Sequence, residues 1–184
     1  MKALCFAFIL LLTAICTSQV LGCSPTPTRQ WHTQLHKYLK ETCDKKGDTI
    51  WNIQSEQEYY FEYRVWSFQC QPNPKTTSSC AWSLQSEYEY INSFHGIVDF
   101  KCPRHGYISG MYGRAHKSHH NDRLYDFKCC DSESPRRNCK WTPYANAWNS
   151  RMNLEVPSGY YLAGAYSYHD EYYDDRRWKF YVCQ

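Results

Sequence analysis

One short motif occurs three times in this chain and carries its cysteines with it. The copies are "YRVWSFQC" (Tyr63 to Cys70), "DRLYDFKCC" (Asp122 to Cys130) and "DDRRWKFYVC" (Asp174 to Cys183). Anchored on Arg64, Arg123 and Arg176, each has an aromatic residue two positions on (Trp66, Tyr125, Trp178) and a phenylalanine two beyond that (Phe68, Phe127, Phe180). A glycine stands 17 residues before each arginine, at Gly47, Gly106 and Gly159. Offsets this regular identify an internal repeat, with copies at about 31–71, 80–130 and 139–183.

The cysteines follow the same register. Cys43 and Cys102 lie 21 residues before their arginine, and Cys70 and Cys129 lie 6 after. The third copy has Glu155 and Val182 in those places, so it lacks both members of the pair together. Joint loss is what bonded partners show, which predicts Cys43–Cys70 and Cys102–Cys129. Cys130 and Cys183 share the next position, and "CAW" (Cys80 to Trp82) matches "CKW" (Cys139 to Trp141). That predicts a second class of bridge, Cys80–Cys130 and Cys139–Cys183. Each 27-residue bridge contributes roughly 3–4 kcal/mol by restricting the unfolded chain.

The first copy has Gln71 where the second class needs its cysteine, so Cys23 is left over. A lone exposed cysteine in an oxidising compartment points to an intermolecular bridge, and hence to a homodimer through Cys23. The compartment is read from the N-terminus. Lys2 precedes the apolar run "ALCFAFILLLTAIC" and the small-ended "SQVLG", the pattern of a secretory signal peptide. Cleavage after Gly22 makes residues 1–22 the signal and 23–184 a single domain. It also removes Cys5 and Cys16, leaving nine of the eleven cysteines for a disulfide framework. No later stretch approaches the roughly 20 apolar residues of a transmembrane segment.

Within each copy the pattern reads as strands. "WSFQC" and "WKFYVC" alternate aromatic with polar residues, and "GYISGMYG" and "GYYLAGAY" begin and break with glycine. "QPNPKTTSS" and "DSESPRRN" read as connectors, and only "TQLHKYLKETC" could hold a helical turn or two. With 17 tyrosines and 7 tryptophans, aromatic rings can build the core that sparse aliphatic residues cannot. The expected fold is all-β: one disulfide-stapled domain of three pseudo-symmetric β-repeats. The formal charge of +3, one lower without Lys2, is too small to suggest a nucleic-acid partner.

The repeated D-R-x-W-x-F…C unit, the doubled "CC", the C-P-x-x-G of "CPRHG" and the C-x-W openings resemble the dermatopontin family. The resemblance runs from about Trp31 to Cys183. It implies a secreted, non-enzymatic adhesion protein of the extracellular matrix or hemolymph. The implied partners are extracellular matrix proteins and cell-surface glycans or glycosaminoglycans, with no cofactor. Family roles also include hemagglutination, so a soluble defence lectin that aggregates cells through a defined sugar is the alternative, and a membrane-active cytolysin a weaker one. Two positions depart from the pattern. Tyr63 stands where Asp122 and Asp175 stand in the other copies, and Tyr125 takes the tryptophan position.

Arg64, Trp66, Asp122, Arg123, Tyr125, Asp175, Arg176 and Trp178 therefore carry two readings. In one, arginine stacks on an aromatic ring and forks a carboxylate, clasping the repeats together. In the other, the aromatic faces and charged groups receive a sugar. His116, His119 and His120 cluster in "AHKSHHNDR", but the other copies supply no matching ligands, so no metal is assigned. Acid-flanked tyrosines ("SEQEYYFEYR", "SEYEY", "SYHDEYYDD") fit either sulfation or strand-edge rings. No Ser-His-Asp or Cys-His arrangement has a catalytic context.

Overall fold

The computed structural model describes residues 31, 38–43, 45–58, 63–73, 79–84, 89–116 and 119–184, with the side chains of 58, 63, 116 and 119–121 excepted. The expected signal segment and Cys23 lie outside them. Three long antiparallel hairpins organise the chain: β2 (Asp48–Glu58) with β3 (Tyr63–Pro72), β6 (Tyr107–His116) with β7 (His119–Cys130), and β10 (Tyr161–Asp170) with β11 (Asp175–Cys183). Each motif copy forms the returning strand of its hairpin. Its alternation sets the faces: in β11, Arg176, Trp178, Phe180 and Val182 are buried, whereas Arg177, Lys179 and Tyr181 are half-buried.

The short strands show how the hairpins are joined. β1 (Leu39–Thr42) pairs with β6, β5 (Val98–Lys101) pairs with β10, and β9 (Met152–Glu155) pairs with β2. Each short strand thus completes the sheet of a hairpin other than the one nearest it in sequence. β4 (Cys80–Trp82) and β8 (Lys140–Trp141) add to the outer edges of β7 and β11. The result is three antiparallel sheets, ordered β1-β6-β7-β4, β5-β10-β11-β8 and β3-β2-β9.

The four disulfides divide into two structural classes. Cys43, just past β1, is bonded to Cys70 in β3, and Cys102, just past β5, is bonded to Cys129 in β7. Each ties a strand lent to one sheet back to the hairpin of another. Cys80–Cys130 and Cys139–Cys183 instead join a hairpin to the short strand on its own outer edge. The adjacent Cys129 and Cys130 therefore take different partners because successive residues of a strand face opposite sides.

Register breaks help the lent strands fit. Pairing shifts between Ile50 and Asn52, between Ile108 and Gly110, and between Leu162 and Gly164. The carbonyls of the intervening Trp51, Ser109 and Ala163 accept the backbone N–H of Val156, Cys43 and Cys102, the residues just past the lent strands. Bulges of this kind bend a strand and free a backbone group for another partner.

Two expectations are corrected. The segment expected to hold helical turns forms strand β1 over Leu39–Thr42, in register with Gly113 to Gly110; its residues 33–37 lie outside the described ones. Leu39 is fully buried there, so pairing and burial override local propensity. Gln71 and Pro72, expected in a connector, belong to β3 and pair with Thr49 and Asp48.

Close backbone approach explains one glycine and not another. A Cβ on Gly164 would collide with the Phe100 carbonyl oxygen of β5, whereas one on Gly113 would meet Leu39 Cβ at an ordinary 3.4 Å. Gly164→Ala is expected to displace β5 and cost about 1–3 kcal/mol, while Gly113→Ala leaves stability nearly unchanged. Chemical denaturation of the two variants checks the contrast.

Candidate functional site

The eight motif residues converge on the centre of the molecule. Trp66, Tyr125 and Trp178 meet edge to face, with Trp178 5.3 Å from Trp66 and 4.9 Å from Tyr125 between ring centroids. Trp66 and Tyr125 are 6.3 Å apart. The phenylalanine two residues on stacks beneath each tryptophan, Phe68 under Trp66 at 6.0 Å and Phe180 under Trp178 at 6.1 Å. Such pairs add about 0.5–1.5 kcal/mol each beyond the area they bury.

The arginines and aspartates surround these rings and clasp one hairpin to another. Arg64 donates from Nε and Nη2 to the two carboxylate oxygens of Asp175, both at 2.6 Å. Its guanidinium also donates to the Ser150 carbonyl at 3.1 and 3.2 Å. Arg176 forks Asp122 in the same manner, with Nη2 at 2.8 Å from Oδ2 and Nε on Oδ1, and donates to the Gly96 carbonyl at 2.8 Å. The carboxylates accept backbone hydrogen bonds as well. Asp175 receives the N–H groups of Asn149 at 2.8 Å and Arg176 at 2.6 Å, and Asp122 receives that of His95 at 2.6 Å.

His95 and Asn149 are held at φ 59° and 52°, left-handed conformations that cost a residue with a Cβ about 1–3 kcal/mol. The carboxylates hold them there. Two asparagines that sequence reasoning passed over complete the arrangement. Asn92 donates to the Arg123 carbonyl and accepts from the Tyr125 N–H; Asn146 does the same for Arg176 and Trp178. A sequence signal existed. "NSFHG" (Asn92 to Gly96) and "NAWNS" (Asn146 to Ser150) share an asparagine, an aromatic two on and the strained residue next, 31 and 30 residues before the arginines of their own copies.

All eight motif side chains are buried, none more than 5% exposed. Arg123 is among them, but the clasp is not threefold: the position matching Asp122 and Asp175 is Tyr63. Burial pushes the Tyr125 phenol well above its ordinary range, against the opposing pull of Arg176, whose guanidinium lies 5.8 Å from the ring. Closed off in this way, the motif can fasten hairpins, and a sugar arriving from solvent meets none of its polar groups. Cys23 and the side chains of His116, His119 and His120 lie outside what the structure describes. Among the described residues no three His, Cys, Asp or Glu side chains cluster as a metal site would require, and no helix is long and apolar enough to cross a membrane.

Comparison with known proteins shows the family. The dermatopontin family model matches residues 33–184. The chain is 30% identical over 162 residues to the hemagglutinin/amebocyte aggregation factor of Limulus polyphemus, covering 86% of this chain and 90% of that protein. It is 32% identical over 139 residues to a dermatopontin of Biomphalaria glabrata, covering 75% and 89%. It is also 32% identical over 138 residues to Millepora cytotoxin-1 of Millepora dichotoma, covering 74% of this chain and 59% of that protein. No solved structure matches.

Removing one partner of a buried ion pair strands the other, at about 3–5 kcal/mol. Arg64→Ala and Asp175→Ala are each expected to lose that much stability, and the double variant Arg64→Ala/Asp175→Ala to lose less than the two single losses combined. Urea denaturation of the four forms in a double-mutant cycle measures the coupling.

Alkaline pH acts on the same centre. A tyrosine whose folded value is raised favours the native state fully below its ordinary value of about 10, and that contribution is lost as pH rises through the folded value. Burial, and next the neighbouring Tyr90, push Tyr112 up to about 12, while Tyr125 is raised by burial. The melting temperature is expected to fall steeply above pH 10, and Tyr125→Phe to flatten the fall. Thermal melts between pH 8 and 11.5 test this.

Proposed function

The chain belongs to the dermatopontin family, and from that premise we propose that it is a secreted, non-enzymatic adhesion protein that bridges cells or matrix through glycan contacts. The observation that carries this reading is the burial of the motif. Arg64 and Arg176 spend their paired donors on Asp175 and Asp122 inside the molecule, so recognition falls to the outer faces of the sheets. Shallow faces of this kind form weak contacts, and several weak contacts on one rigid body make a strong crosslinker. The aggregation named for the Limulus relative, aligned over 90% of its length, points the same way.

The three hairpins, with their lent strands and matching disulfides, are read here as three pseudo-symmetric copies of one unit. The similar settings of Arg64 and Arg176 and the meeting of Trp66, Tyr125 and Trp178 support that reading. Disulfides joining sheets suit an oxidising extracellular setting, in keeping with removal of residues 1–22. Cys23 then opens the mature chain and links two copies into a homodimer, doubling the contact faces.

Cell aggregation by the purified secreted protein tests the function. It is expected to aggregate cells, with soluble sulfated chains as inhibitors and with activity falling as salt rises. Inhibition by one neutral monosaccharide alone replaces this reading with that of a defence lectin, and an inert protein overturns it. For the dimer, intact mass is expected to halve on reduction; a monomer lacking Cys23, or carrying a small-thiol adduct on it, overturns that part.

A further inference from the structure

The outer face of the β5-β10-β11-β8 sheet differs in kind from that of the β1-β6-β7-β4 sheet. Successive outward residues of β11 are Arg177, Lys179 and Tyr181, and Trp141 of β8 is in register with Tyr181. Three cations each lie over a separate aromatic ring: Arg177 over Tyr144 at 4.3 Å, Lys179 over Tyr166 at 4.5 Å and Lys101 over Tyr181 at 4.3 Å. Lys101 and Lys179 also share the Trp141 ring, at 5.4 and 5.1 Å. Lys101 comes from β5 and has the whole of β10 to cross. It does so at Gly164, which pairs with Lys101 on one side and Tyr181 on the other and has no side chain to obstruct it.

These cations are held but not neutralised. A ring face orients an ammonium and leaves its N–H donors available to an anion. Neither Lys101 nor Lys179 is paired with a carboxylate among the described residues. The rings are half-buried and Tyr144 is 38% exposed, so each keeps part of a flat apolar surface in solvent. Two acids share this face, Asp99 opposite Tyr166 on the β5 side and Asp170 at the turn end of β10, so an anionic chain is directed towards the opposite end of β11 and towards β8. The β1-β6-β7-β4 sheet offers no such series: there Tyr38, Tyr90 and Tyr112 stack on one another, Arg114 lies 6.0 Å from the Tyr38 ring and binds Tyr90, and Asp126 binds Ser83.

We propose that the outer face of β10, β11 and β8 is a binding track for a sulfated polysaccharide, an assignment that rests on the glycan-bridging reading above. Two positively charged groups, Arg177 and Lys179, stand two residues apart on β11, about 6.6 Å along the strand, and Lys101 continues the row over Tyr181. A polymer with anionic groups along its edges and apolar C–H faces on its sugar rings matches both elements at once. Its sulfates take the ammonium and guanidinium donors, and its ring faces lie on Trp141 and Tyr166. Arg177 contributes a planar fork and the two lysines point charges, so the track has polarity along the strand.

Heparin serves as the sugar probe and inorganic polyphosphate as a polyanion without rings. Binding is measured on the full secreted protein by titration at several salt concentrations. Lys101→Gln/Lys179→Gln is expected to weaken heparin binding at least tenfold and to flatten its salt dependence, with an unchanged melting temperature. Trp141→Ala is expected to weaken heparin severalfold and leave polyphosphate untouched; if that variant melts early, Arg177→Gln supplies an independent surface change with the same expected loss. Wild-type heparin binding that survives the double lysine substitution overturns the track while leaving the bridging function standing. Polyphosphate binding as tightly as heparin, with Trp141→Ala without effect on either, overturns the sugar assignment. A wild-type protein that aggregates no cells and binds no glycan removes the bridging reading itself, and the track with it.

Discussion

Two guanidinium–carboxylate pairs, Arg64 with Asp175 and Arg176 with Asp122, sit almost wholly out of water between hairpins far apart in sequence. Desolvating such ions costs several kcal/mol each, and the cost is repaid only when geometry is good and every remaining lone pair and proton is satisfied. Here the carboxylates also accept backbone amides, and the guanidiniums also reach carbonyls of the loops that supply those amides. Moving one hairpin relative to the next would open several of these bonds at once. The clasp therefore fixes the angle at which the sheets meet, and Trp66, Tyr125 and Trp178 fill the space it defines.

Strand exchange makes the same connection through the backbone. Because β1, β5 and β9 each complete a sheet built on another hairpin, no hairpin can satisfy its inner edge alone. Cys43–Cys70 and Cys102–Cys129 then close covalently what the lent strands begin. At β9 no cysteine is present, since Glu155 and Val182 occupy the matching positions. There Val156 is held by its hydrogen bond to the Trp51 carbonyl and by burial. Polar groups spent inside leave the outer faces to set what the molecule meets, and those faces differ. Stacked tyrosines dominate around Tyr112, whereas cations alternate with rings around Lys179.

Much of this was legible before any coordinates. Spacing alone paired the cysteines, because a repeat that loses one partner loses the other. Alternation alone placed Arg176, Trp178 and Phe180 on one face of a strand, since a strand's side chains have a period of two; that this is the buried face, and that Asp175 is buried as well, the packing decided. The β1 segment was misread because its local pattern is ambiguous and its strand state depends on Gly110 to Gly113, some 70 residues away. Asn92 and Asn146 escaped notice because their hydrogen bonds run to backbone atoms of a strand about 30 residues later, and backbone acceptors leave no mark on composition.

The sequence by itself determined the repeat, the disulfide pairing, the β class and the alternation of faces, all of which follow from periodicity and from the co-loss of paired residues. Only the tertiary structure decided that Arg64 reaches Asp175 rather than an acid of its own copy, and that the short strands are exchanged between sheets. Only the tertiary structure brought Lys101 across Gly164 to the ring of Tyr181. These are choices among partners of equal local chemistry. Every arginine of the motif could fork any nearby carboxylate, and every short strand could pair with any open edge. Which one it finds depends on where the packed rings and the covalent bridges hold the hairpins in space.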